Sequence, residues 1–82
     1  MASVFGPVYL ADLRALPKSF RRRAAAMVRE IEASPEPDGV FKRAAPPPFK
    51  AGTIVAVARG LAVRYAIDSG GLRFYRVQIV DP

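Results

Sequence analysis

The last third of the chain constrains the fold most. TIVAVA (53–58), LAVRYAID (61–68) and LRFYRVQIV (72–80) are three consecutive runs rich in β-branched and aromatic residues, which is how strands read. Only Arg59-Gly60 separates the first two, the length of a tight hairpin turn, with Gly60 free to take φ > 0. That turn pairs Ala58 with Leu61, Ala56 with Val63 and Ile54 with Tyr65. Directly opposed residues share a face, so Ile54, Ala56, Ala58, Leu61, Val63, Tyr65 and Ile67 face the core. Thr53, Val55, Val57, Ala62, Arg64 and Ala66 take the other face.

The second hairpin has two registers, and a slip of one residue exchanges every side chain between faces. A two-residue turn would drive Arg76 and Gln78 into the core, burying an unpaired guanidinium. A five-residue loop over 68–72 pairs Tyr65 with Tyr75 and Val63 with Val77, and turns Ile79 inward. It sets Arg64 opposite Arg76 on the outer face, with Phe74 and Gln78 alongside. Two opposed arginines repel, and an anion held between them would offset that repulsion.

Upstream, Ser3 to Phe5 is a short apolar run, read as a first strand and broken at Gly6-Pro7. Tyr9, Leu13, Leu16 and Phe20 then recur at helical spacing, interrupted by Pro17. This predicts a short helix over 8–16 and a longer one over 18–33, whose stripe is Phe20, Ala24, Met27, Val28 and Ile31. Ser34-Pro35 stops it. The two helices form a hairpin with their apolar faces on the sheet. Residues 34–52 hold five of the eight prolines and read as a surface connection. Val40 and Phe41 are a short edge segment of it, and Pro46-Pro47-Pro48 favours polyproline II. The whole of 1–82 is one α+β domain, an N-terminal strand and two-helix hairpin packed on an antiparallel sheet that ends in a three-strand meander.

Composition excludes several chemistries. There is no cysteine and no histidine. That removes disulfides, zinc fingers and imidazole-based triads, and neither metal nor cofactor is expected. With no staple for a small core, a monomer or weak dimer of modest stability is expected. No stretch reads as a membrane span, and MASVFGPVYLADLR does not read as a signal peptide, so the expected location is cytoplasmic. Thirteen Lys+Arg oppose seven Asp+Glu, a net charge of +6. Over 41–76, seven basic residues (Lys42, Arg43, Lys50, Arg59, Arg64, Arg73, Arg76) face one acid, Asp68. Such a field favours phosphate backbones or an acidic protein.

Strand, helix hairpin, loop and three-strand meander, in that order, resemble the RelE/ParE superfamily of toxins from bacterial toxin–antitoxin pairs. ADLRALPKSFRRRAAAMVREIEASP is similar to the family's "dL..Lp...r..i...i..l...P" hairpin. ARGLAVRYAID is similar to its "R.G.yRviYeId" hairpin, and RFYRVQIV to its terminal strand. The resemblance implies a toxin bound by an acidic antitoxin, which would cover the basic face. It further implies a ribosome-dependent mRNA endonuclease. There the 2′-hydroxyl attacks the adjacent phosphate, arginines stabilise the added charge, and a lysine among other cations serves as base. On that implication Arg64, Arg76 and Lys50 are catalytic, while Arg59, Phe74, Gln78 and Arg43 bind RNA, with Phe74 stacking on a base. The sequence departs from the family at two places. The arginine of "yRviY" falls on Ala62, two positions before Arg64. The basic and aromatic tail of the nuclease members has no counterpart in Val80-Asp81-Pro82. Those departures keep a second expectation open: a non-enzymatic toxin acting on DNA gyrase, or a module that only binds a partner.

Overall fold

The computed structural model describes residues 2–36, 39 and 41–80. Seven elements follow in order: β1 (Ala2–Phe5), α1 (Pro7–Ala15), α2 (Lys18–Ala33), β2 (Lys42–Ala44), β3 (Thr53–Ala58), β4 (Leu61–Asp68) and β5 (Gly71–Ile79). They form one five-stranded sheet, ordered β1-β5-β4-β3-β2, with the helix hairpin on one face.

Each helix starts and stops where its sequence dictates. Pro7 opens α1 at a position whose N–H would be orphaned anyway. Leu16 and Pro17 turn the chain, and α2 presents Ala24, Met27, Val28 and Ile31 to the core. At its end Ser34 N–H bonds Glu30 O (3.0 Å) and Ile31 O (3.2 Å). Lys42, itself buried, reaches back so that Nζ donates to Ser34 O and to Glu36 O (3.3 Å). It sets a cation against the negative end of the helix dipole and ties β2 to α2.

The first meander hairpin has the register its turn predicts, Ala58 with Leu61 through Ile54 with Tyr65. Arg59 (φ 54°) and Gly60 (φ 78°) both take the left-handed region, as a two-residue turn with the right twist requires.

The second hairpin corrects the sequence reading. Its turn is two residues, Ser69-Gly70, with Asp68 opposite Gly71 and Tyr65 opposite Phe74, not Tyr75. A β-bulge at Arg64/Tyr65 then absorbs Tyr75, and beyond it Arg64 faces Arg76 and Val63 faces Val77. The short turn and the outward arginines thus coexist. Leu72 and Phe74 point into the core on one side of the bulge, and Val77 does so on the other. Phe74 is fully buried, packed on Phe5 (5.1 Å between centroids), Tyr9 (5.7 Å) and Tyr65 (5.8 Å). Ile79 has its expected partner, Leu61, whereas Ile67 lies opposite Leu72; the two stand at opposite ends of the sheet and, against the expectation that they face the core, both are exposed.

Three further corrections concern the periphery. The sheet is mixed rather than antiparallel, because β1 runs parallel to β5 from Ala2↔Gly71 to Phe5↔Phe74. Gly71, at φ 133°, allows that approach: a Cβ there would run into the backbone of Ala2. The short edge strand is Lys42–Ala44, just after Phe41, and Val40 lies outside the described residues. Residues 46–49 form a turn, with Phe49 N–H bonded to Pro46 O (3.3 Å), in place of a polyproline II run.

Candidate nucleic-acid interface

Register alone builds the charged surface. Arg43 in β2 is opposite Val55 in β3, Val55 is opposite Arg64 in β4, and Arg64 is opposite Arg76 in β5. Three arginines and one valine form a single row across four strands, on the face away from the helices. Val55 and, in the next row, Ala62 are nonetheless buried. Long basic side chains cover apolar ground with their stems while their heads stay in water.

Arg64 sits at the centre of the row, half-buried. Its Nη1 donates to Gln78 Oε1 (2.9 Å), and its guanidinium lies over the Phe49 ring, 5.1 Å from the centroid. Its Nε is buried with no hydrogen-bond partner. Arg76 is held differently. Its Nε and Nη2 donate to the two oxygens of Asp12 in α1, at 2.8 and 3.2 Å. The same carboxylate accepts from Val77 N–H at 3.2 Å. Strand β1 has ended by then, its last partner on β5 being Phe74, so Asp12 takes over an edge amide left without a strand. The bond to Asp12 raises the Arg76 guanidinium further above its ordinary range. The chain's own carboxylate thus answers one member of the arginine pair and relieves the repulsion between them.

The other sequence-predicted residues divide. Arg43 and Gln78 are on this face and exposed. Lys50 is exposed at its rim, lining a cleft of about 320 Å³ with Pro48, Phe49, Thr53 and Tyr75. Arg59 is not part of the assembly. It remains at the 59–60 turn, tied to Glu30 of α2 through a bidentate ion pair, one contact of which is 3.1 Å. That pair lowers the Glu30 carboxyl and raises the Arg59 guanidinium, through the hydrogen bond first and charge second. Phe74 is also a correction. The bulge keeps it on the core side, so it presents no ring to a base.

Two aromatic residues take the place expected of Phe74. Phe49, from the proline turn, folds over Arg64. Tyr75, the bulged residue, is half-buried beside Arg76 and lines the clefts on both sides of Phe49. The signal for Tyr75 is present in the sequence: Leu72 and Phe74 share one parity and Val77 has the other, so no regular strand buries all three. Phe49 had a weaker signal, a lone large aromatic in a proline-rich connection with no apolar pattern of its own.

Two solved structures are similar to this chain over nearly its full length. One is the RelB–RelE antitoxin–toxin complex from Methanococcus jannaschii, at a TM-score of 0.65 and 14% identity, covering 93% of this chain and 88% of that one. The other is the toxin–antitoxin complex RelBE2 from Mycobacterium tuberculosis, at 0.69 and 23% identity, covering 95% of each. No protein-family model and no curated protein sequence matches the chain. The chain therefore has a RelE-like α+β fold, as its element order implied. Among the described residues, no helix is long and apolar enough to cross a membrane.

Proposed function

We propose that this protein is the toxin of a toxin–antitoxin pair, and that its arginine row binds RNA phosphates as part of an mRNA endonuclease that works on the ribosome. The observation that carries the reading is the row Arg43–Val55–Arg64–Arg76, built by strand register on the open face of a RelE-like sheet. A phosphate over Arg64 would be met by the outer N–H groups of a guanidinium held in place by Gln78 and the Phe49 ring, and charge-assisted bonds of this kind are the strong ones. Arg64 and Arg76 would stabilise the charge that grows on the phosphorane as the 2′-oxygen attacks and the bond to the 5′-oxygen breaks, leaving a 2′,3′-cyclic phosphate and a 5′-hydroxyl that takes its proton from water. Lys50 at the rim is the amine that would take the 2′-proton. An acidic antitoxin segment across the same row would block it.

One observation favours a second reading, a toxin that binds gyrase or another partner without cutting RNA. Asp12 already neutralises Arg76, which weakens the charge available to a phosphorane.

Expression of the protein alone should slow bacterial growth, and co-expression of a small acidic partner should restore it. In a ribosome-programmed assay the wild type should cleave mRNA and Arg64→Ala/Arg76→Ala should not, with both proteins folded. Normal growth at high soluble expression would sink the toxin reading. Growth arrest without cleavage, with gyrase supercoiling inhibited instead, would replace the endonuclease by the second reading.

A further inference from the structure

The three arginines of the row differ in what they already hold. Among the described residues Arg43 meets no carboxylate, Arg64 bonds the neutral amide of Gln78, and Arg76 is engaged by Asp12. Asp12 therefore cancels one of the three charges that strand register sets in line. The group that weakens the row belongs to the chain itself.

The geometry leaves Asp12 fixed and Arg76 able to move. Asp12 is the less exposed partner, carried on α1 and bonded to Val77 N–H at 3.2 Å. The Arg76 head borders an open cavity of about 410 Å³ between the first turn of α1 and the 46–49 turn. That space lets the guanidinium leave Asp12 by side-chain rotation alone. Once it has left, Asp12 keeps the amide bond to Val77, so the carboxylate is not orphaned. Asp12 now occupies Nε and Nη2, at 2.8 and 3.2 Å. This fork fits two oxygens of a phosphate as well as those of a carboxylate, so both anions would claim the same two donors.

We propose that Asp12 is a built-in competitor of the ligand: it holds Arg76 closed in the free protein and yields it to a phosphate when a polyanion lies along the row. The proposal rests on the reading of the row as a phosphate site. Asp12 is tethered beside Arg76 and acts at a high effective concentration, which disfavours a lone anion from solution. A polyanion seated on Arg43 and Arg64 is tethered too, and offers its next phosphate on comparable terms. The row then answers to chains of phosphates and holds single ones poorly. When the ligand leaves, Arg76 returns to Asp12, and the repulsion from Arg64 across the strand pair is again offset.

The test is binding of a short single-stranded RNA over a range of salt concentrations, by wild type, Asp12→Asn, Arg76→Ala and the double variant. Asp12→Asn should bind about two- to fivefold tighter than wild type, the factor an exposed ion pair is worth. In the Arg76→Ala background the same substitution should change little. The dependence of log affinity on log salt should be equally steep for wild type and Asp12→Asn. For Arg76→Ala it should be shallower by about 0.7, the contribution of one phosphate contact on a single strand. This slope comparison between wild type and Arg76→Ala needs no change at Asp12, which keeps the test decisive if Asp12→Asn fails to fold. Unchanged or weaker binding by Asp12→Asn would overturn the proposal, because Asp12 would then position Arg76 instead of competing for it. An equal gain in both backgrounds would reduce the effect to net charge. A wild-type slope matching that of Arg76→Ala would show that Arg76 never leaves Asp12; in each of these cases salt-dependent binding by the wild type still upholds the row. If the wild type binds no RNA, the phosphate reading falls and the competition falls with it.

Discussion

Asp12→Ala tests whether one carboxylate holds the open edge of β5. Asp12 accepts three hydrogen bonds, two from Arg76 and one from the backbone of Val77, and its side chain is only 17% exposed. Val77 is fully buried, so removing the acceptor strands an amide that water reaches poorly, at about 1–3 kcal/mol. The ion pair adds less. The Arg76 side chain is 37% exposed, and pairs near solvent are worth about 0.2–1 kcal/mol. The expected loss is about 2 kcal/mol, which in a domain of this size lowers the melting temperature by about 8–16 °C. Asp12→Asn keeps an oxygen for Val77 N–H and gives up only the charge, so it should cost about 1 kcal/mol or less. Urea unfolding of both variants, with Arg76→Ala and the double variant to close a cycle, separates the backbone bond from the ion pair. Asp12→Ala within about 0.5 kcal/mol of wild type, on the scale of an ordinary surface change, would show that the edge does not depend on this residue. Equal losses for Ala and Asn would assign the effect to the charge and refute the backbone argument.

Gly71→Ala should detach β1 from β5, because the new methyl meets the Ala2 backbone and the site has φ 133°; faster amide exchange over Ala2–Phe5 with β3 and β4 unaffected is the readout, and unchanged exchange there would contradict it. Burial raises the Tyr9 and Tyr65 phenols to about 12 from the usual 10. The unfolded chain therefore loses these protons first, and stability present below about pH 10 declines as the pH climbs toward 12. Denaturant midpoints across that range should fall more steeply for the wild type than for Tyr65→Phe, and parallel slopes would show that the buried phenol is not the cause.

The sequence carried the scaffold because the scaffold depends on local rules. Two helices separated by Pro17, a tight turn at Arg59-Gly60 and an apolar face from Ile54 to Tyr65 each follow from spacing and turn chemistry within a dozen residues. What escaped depends on contacts distant in the chain. That β1 lies parallel beside β5 rests on Gly71 meeting Ala2, about seventy residues away. That Asp12 answers Arg76 required knowing where β1 stops short of the end of β5, since the sheet edge it leaves open is what α1 covers. Arg59 appeared available because nothing near it in the sequence is acidic; its partner, Glu30, is supplied by the helix packed over the hairpin.

The bulge at Tyr75 lies between these cases and decides the site. A strand that buries Leu72, Phe74 and Val77 needs one extra residue, and the choice between a short turn and a long loop framed that need as a question about the turn. A two-residue turn without a bulge would carry Arg76 into the core; a long loop without one would expel Phe74 and break its contacts with Phe5, Tyr9 and Tyr65. Inserting the residue within the strand avoids both costs: the aromatic cluster stays closed at one end, and the arginine row stays open at the other. The inserted residue, at position 75, continues the outward alternation of Arg73 with Arg76 following on the same face, so its side chain lines the clefts beside the row. It is a tyrosine, where a smaller residue would satisfy the geometry of the bulge alone. Core packing thus accounts for the bulge at 75, and the aromatic ring it carries is the part that packing does not use.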